Sequence, residues 1–247
     1  MPERELLVPT VDGVADATLH TPDGAGPWPA VIMFPDAGGR RPTFQAMAQR
    51  LADLGYAVVV PNVYWRAGDF EPFDMHALYR DPEVRQRMTD LARTTSKEAV
   101  ARETGALLDV LTDLPEVAGS KVGTTGYCMG GGHSLTAAAR YPERVAAAAS
   151  FHGGYLATEA PDSPHLGAGT IAGRVYVASA VDDEHFPPEQ EERLAAALAA
   201  AGVDHTMATY PVAHGFAVPD NPTFDEAASE RHWAAMEALF GSALARS

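Results

Sequence analysis

Three residue types that cooperate in acyl transfer, a thiol, an imidazole and a carboxylate, each stand in this chain just beyond an apolar, strand-like run. Cys128, the only cysteine among 247 residues, lies in Gly126-Tyr-Cys-Met-Gly130, between the run Lys121 to Tyr127 and a helical segment. Glycines two residues to either side of a nucleophile, at a sharp strand-to-helix turn, lift that one side chain clear of the sheet. A lone cysteine is otherwise a small buried hydrophobe, so its partners must decide. A thiol nucleophile needs a base for its proton, and the base needs an acceptor to orient it. His214, in Tyr210-Pro-Val-Ala-His-Gly-Phe216, follows the last strand-like run and is the best placed of nine histidines. His205 falls within a strand and His232 within an amphipathic helix, where packing or solvent roles suffice. Asp182 and Asp183 follow the run Arg174 to Ala178; adjacent side chains point in different directions, so only one of them faces His214. Nucleophile, acid and histidine in that chain order suit a sheet whose successive strands end at one edge.

Acyl transfer also requires donors for the oxyanion that forms on attack, and two backbone amides suffice. Met129, opening the helix after the thiol, supplies one through its backbone. The loop Pro35-Asp-Ala-Gly-Gly39, after the run Ala30 to Phe34, supplies the other. Neither a Walker lysine-serine pair nor a dinucleotide glycine fingerprint is present, which removes phosphate-binding readings.

Six apolar runs, Ala30 to Phe34, Tyr56 to Val60, Lys121 to Tyr127, Val145 to Phe151, Arg174 to Ala178 and His205 to Tyr210, alternate with helical patterns. Such runs belong to a sheet covered on both faces. Helices are predicted from about Thr43 to Leu54, from Ser96 to Leu114, from Pro188 to Gly202, and through Trp233, Met236 and Phe240 at the end. The fold class is α/β, a mainly parallel, doubly wound sheet with helices on both faces, in a single domain over 1–247. A less regular strand pair around Glu5 to Val8 and Asp16 to Thr21 leads into it. The stretch 63–95 has no strand pattern and carries Trp65, Phe70, Phe73 and Tyr79; it is expected to form a lid or pocket wall containing a short helix near Pro82 to Leu91.

Composition narrows the partners. Thirty-three acidic residues against eighteen basic ones give a formal charge of -15, which repels nucleic acid and anionic membrane surfaces. No apolar run of about 18 residues is present and the first residues lack a signal-peptide pattern, so a cytoplasmic protein without membrane or nucleic-acid partners is expected. One cysteine cannot form an internal disulfide or a multi-cysteine zinc site; neither metal nor cofactor is expected.

Taken together, Gly126-Tyr-Cys-Met-Gly-Gly131, Asp183 with Pro187 four residues on, and His214-Gly-Phe216 resemble the dienelactone hydrolase family of the α/β-hydrolase superfamily across nearly the whole chain. The resemblance implies Cys128 as nucleophile, His214 as general base, Asp183 as its orienter, and Ala37 with Met129 as oxyanion donors. Asp36 falls where the best-known members carry a glutamate that holds the resting thiol, and is one methylene shorter. Those members bind the substrate carboxylate partly through an arginine four residues after the histidine; here that position is Val218, with Arg66 or Arg80 available to compensate. Tyr64, Trp65, His152 and Phe186 are expected pocket residues, each closely following a strand or bordering the triad. The implied activity is hydrolysis of a small ester or lactone through a thioester. Alternatives are a general carboxylesterase, or a non-catalytic ligand-binding or redox-sensing protein on the same fold; oligomeric state is not legible.

Overall fold

A computed structural model describes residues 3–244. Eight strands, β1 (Arg4–Thr10), β2 (Gly13–His20), β3 (Trp28–Phe34), β4 (Ala57–Pro61), β5 (Val117–Tyr127), β6 (Val145–Phe151), β7 (Arg174–Asp182) and β8 (His205–Ala213), form one sheet in the order β1-β2-β4-β3-β5-β6-β7-β8. The β1–β2 and β2–β4 pairs are antiparallel and every other pair is parallel. Six helices connect them: α1 (Pro42–Asp53), α2 (Pro82–Ala92), α3 (Lys97–Thr112), α4 (Met129–Arg140), α5 (Pro188–Ala200) and α6 (Glu226–Ala243).

Period-two alternation divides each strand between two cores. On β3, Ala30, Ile32 and Phe34 join the layer beneath α3, α4 and α5, with Leu107, Leu108, Leu135, Leu194 and Leu198. Val31 and Met33 point the other way, into the layer beneath α1 and α6, with Phe44, Met47, Leu51, Met236 and Phe240. Both faces are thus covered, which is why the strands read as unbroken apolar runs. Helix ends follow local chemistry. Ser96, Asp81 and Asp225 cap α3, α2 and α6 by accepting from backbone amides at 2.8–3.2 Å, and Gly55 and Gly202 take left-handed conformations just beyond α1 and α5.

Between β4 and α3 the chain forms two short helical turns and α2, with no strand. Phe73, Met75 and Leu78 make a small cluster of their own, against which Val84, Met88 and Leu91 of α2 pack. No residue of α2 is fully buried, so this segment is held far less firmly than the helices on the sheet.

Among the described residues four histidines, His20, His133, His152 and His232, are buried. His232 on α6 is fully enclosed; its Nδ1 donates to the Ser229 carbonyl at 2.5 Å, so Nε2 accepts from the Tyr127 hydroxyl at 3.2 Å. Burial disfavours the charged ring and holds His232 down to about 3; it holds His133 down to about 4 and His152 well below the ordinary range. A folded pKa below the unfolded 6.5 contributes stability above pH 6.5 that is lost as pH falls toward the folded value. For His232 alone the loss at pH 5 is about 2 kcal/mol. Urea unfolding at pH 7 and pH 5 checks this: stability falls between the two, and the fall is smaller by about that amount in His232→Phe.

Candidate active site

The parallel order brings the ends of β3, β5, β6, β7 and β8 to one edge of the sheet, and the loops leaving that edge hold the residues singled out by type and spacing. Cys128 separates β5 from α4 and has φ 53° and ψ −117°, a left-handed conformation uncommon outside glycine. Its amide donates to the Phe151 carbonyl at 3.2 Å, which fixes the turn to β6. Two glycines make the turn possible. A Cβ on Gly126 would lie 1.9 Å from the Gly130 carbonyl oxygen, and one on Gly130 would lie 2.3 Å from that of Phe34. Only bare backbone lets the first turn of α4 approach β3 and β5 this closely.

His214 follows Ala213, the last residue of β8, and its amide donates to the Asp182 carbonyl at 3.0 Å. Its Nδ1 lies 2.7 Å from Asp183 Oδ2, and the other Asp183 oxygen accepts from the His185 amide at 2.9 Å. Asp183 is buried whereas Asp182 is exposed, so the alternation left open by the sequence resolves to Asp183. With Nδ1 committed to Asp183, Nε2 is the ring nitrogen left for the thiol. Burial works against the imidazolium, but the neighbouring Cys128 charge, the Asp183 hydrogen bond and a hydrogen bond to Cys128 outweigh it and raise His214 to about 10. The side chain of Cys128 is half-buried and open to a cavity.

Asp36 reaches the wall of the same cavity, but its oxygens are taken. Arg41 donates to both, at 2.6 and 3.0 Å, and the Gly38 amide donates to one at 2.8 Å. Arg41 also grips Asp220 with two bonds of 2.7 and 2.8 Å, and Thr43 donates to the same carboxylate at 2.7 Å. Almost wholly buried, the guanidinium therefore ties the loop after β3 to the loop after His214. Among the described residues no hydrogen bond joins Asp36 to Cys128. Nothing in the sequence announced this triad, because Arg41 and Asp220 are 179 residues apart.

The cavity has a lobe of about 460 Å³ bounded by Asp36, Met75, Arg85, His152, His214 and Asn221. A second lobe of about 630 Å³ passes Met129, Gly132 and His133 to Lys97 and Asp162. His152, expected at the pocket, is there: its ring centroid lies 5.0 Å from that of His214, and neither of its nitrogens has a hydrogen-bond partner among the described residues. Ala37 borders both lobes. Five other expected pocket residues lie outside both lobes. Arg66 is held outside by ion pairs to Asp12 and Glu103, with its guanidinium stacked 4.4 Å from the Trp65 ring, so neither residue reaches the cavity. Arg80 is exposed beyond a short helical turn, and Phe186 is buried in the core beside α5. Tyr64 also lies outside the wall, yet its hydroxyl donates to the Ala37 carbonyl at 3.0 Å and so steadies the loop carrying Ala37. Val218 is wholly enclosed in the apolar layer of α1 and α6. The cation that does enter the first lobe, Arg85, went unread in the sequence. Its place one turn from Met88 on the inner side of α2 was the available signal.

The profile of the Dienelactone hydrolase family matches residues 15–244. A carboxymethylenebutenolidase of Rhodococcus opacus is 26% identical over 187 residues, covering 74% of this chain and 68% of that protein. Among solved structures, a dienelactone hydrolase-like promiscuous phosphotriesterase from metagenomic libraries superposes with a TM-score of 0.76 at 29% identity, covering 98% of this chain and 99% of that one. Dienelactone hydrolase from Anabaena variabilis shares the fold, with a TM-score of 0.64 at 19% identity over 99% of both chains. The eight-stranded sheet is that of the α/β-hydrolase fold, and the chain belongs to the dienelactone hydrolase family.

Proposed function

We propose that the protein hydrolyses a small carboxylic ester or lactone, with Cys128 as nucleophile, His214 as general base and acid, and Asp183 as the residue that orients His214. The observation that carries this reading is the 2.7 Å contact of His214 with Asp183 beside a thiol on a strained elbow, all at one cavity. A binding or redox-sensing role for Cys128 has no use for a carboxylate-oriented imidazole; acyl transfer requires one.

The thiolate attacks the ester carbonyl, and the electron pair of the C=O bond moves onto oxygen. That oxyanion is held by the amides of Met129 and Ala37; Met129 opens α4, where an amide has no carbonyl of its own helix one turn back. The tetrahedral adduct collapses, the C–O bond to the alcohol breaks, and the alcohol oxygen takes the proton from the His214 imidazolium, leaving a thioester on Cys128. Water then gives a proton to His214 as its oxygen attacks the thioester. Cleavage of the C–S bond releases the acid and returns the thiolate. Asp183 remains ionised throughout and stabilises the imidazolium. In this reading Asp36 acts through Arg41 by holding the Ala37 loop, and Arg85 provides the cation near the substrate that Val218 cannot. Cytoplasmic location belongs to the same proposal; among the described residues no helix is long and apolar enough to cross a membrane.

Three measurements test it. Hydrolysis of para-nitrophenyl acetate and of simple lactones falls roughly a thousandfold in Cys128→Ala and His214→Ala, and roughly a hundredfold or more in Asp183→Asn, with circular dichroism spectra unchanged; wild-type turnover no faster than these variants would sink the reading. Because His214 must be protonated to supply the leaving group and its pKa is raised to about 10, kcat/KM for an alkyl ester is retained through neutral pH and declines as pH rises through about 10. Iodoacetamide alkylation of Cys128 at pH 7 slows by about tenfold or more in His214→Ala, yet changes by less than about threefold in Asp36→Asn, since the Asp36 oxygens serve Arg41 and not the thiol.

A further inference from the structure

The thiol of Cys128 lies where the two lobes of the cavity meet, and Ala37, Met88 and His185 border both. The direction of proton transfer decides which half of an ester enters which lobe. The departing oxygen must face His214, which belongs to the first lobe, while the carbonyl oxygen faces Met129 and Ala37. The remainder of the acyl chain then points away from His214, along α4 into the second lobe.

That lobe changes character along its length. At its junction with the first lobe it shares Ala37, Met88, Cys128 and His185, while Ser96, Lys97 and Asp162 line it outside that junction. Lys97 is the one cation among its lining residues. It pairs with Asp162 at a long 3.5 Å, and the Asp162 side chain is 60% exposed, so the pair is weak and water-screened and an entering anion can displace it. His133 lines the lobe beside it; burial first and the charge of Lys97 second keep its ring neutral, and neither ring nitrogen has a partner among the described residues. A neutral imidazole can donate one hydrogen bond and accept another. On a chain of net charge -15, a cation in this lobe, like Arg85 in the first, runs against the overall field an anion meets.

We infer that the second lobe is the acyl pocket and that it receives an acyl chain ending in a carboxylate, so that the preferred substrates are monoesters of dicarboxylic acids, with Lys97 reading the terminal charge. The inference rests on the hydrolase reading above and adds the orientation and chemical class of the substrate.

Two esters with the same leaving group and six-carbon acyl chains, the mono-para-nitrophenyl ester of adipate and para-nitrophenyl hexanoate, isolate the terminal charge. The adipate-to-hexanoate ratio of kcat/KM falls about tenfold in Lys97→Met and stays within about threefold of wild type in Lys97→Arg, as loss and retention of one charge-assisted contact require. Ala92→Phe, at the end of α2 where Ala92 lines the same lobe, narrows it and lowers the octanoyl-to-acetyl ratio without altering the ranking of alcohols. An unchanged adipate-to-hexanoate ratio in Lys97→Met overturns the charge assignment, and an unchanged octanoyl-to-acetyl ratio in Ala92→Phe overturns the acyl assignment. Failure of the wild type to hydrolyse any neutral ester faster than Cys128→Ala would instead strike the hydrolase reading. Calorimetric titration of adipate monoester into Cys128→Ala needs no turnover: binding weakens about tenfold when Lys97→Met is added, and equal binding overturns the proposal.

Discussion

The contact between the first turn of α4 and the ends of β3 and β5 is made by backbone alone, because any Cβ at Gly126 or Gly130 would overlap a carbonyl group. Everything at the site takes its position from that contact. It forces Cys128 into the left-handed conformation, turns its side chain out of the sheet, and leaves the opening amides of α4 beside it. The loop after β3 is brought in by the same approach, since the carbonyl that Gly130 meets belongs to Phe34, two residues before Asp36. Close packing thus fixes the nucleophile relative to the Ala37 loop before any polar interaction is counted.

Polar interactions then fix the loops relative to one another. Asp183 and His214 are joined across the ends of β7 and β8. Arg41 joins the Ala37 loop to Asp220 beyond His214, and its position between two carboxylates satisfies a charge that would otherwise be costly to bury. The two links share no residue. One orients the imidazole, and the other holds the distance between the segments that carry the imidazole and Ala37.

What the sequence made legible follows from periodicity and chain order. Strands buried on both faces appear as apolar runs, as in Val145 to Phe151, and chemistry-bearing residues directly after such runs fall at one edge, which located Cys128, Asp183 and His214. Alternation separates Asp182 from Asp183 only once the end of β7 is placed, and the strand continues four residues past the apolar run that signalled it. Pairings distant in sequence left no local trace: Arg41 with Asp220 joins two loops, and Arg66 is drawn off by Asp12 and Glu103 from separate elements. In the stretch 63–95 the expected short helix is α2, but the particular residues facing the cavity were not legible. The aromatic residues of the stretch marked it as unusual, but the cavity is lined from α2 by Arg85 and Met88, and the side of α2 that meets it is set by the packing of Met88 against Phe73, Met75 and Leu78 and not by any long amphipathic pattern.

The weak seating of α2 separates two kinds of constraint that many enzymes mix. The residues that set the geometry of the thiol and imidazole are locked into the sheet and its two cores, while a helix with no fully buried residue supplies Arg85 and Met88 to the cavity wall. Exchanges on that helix change the shape and charge met by a substrate while removing almost no buried apolar area from the fold. The architecture is therefore open to divergence in what it accepts, because the surface on which new preferences can arise is nearly uncoupled from the surface that keeps the chain folded.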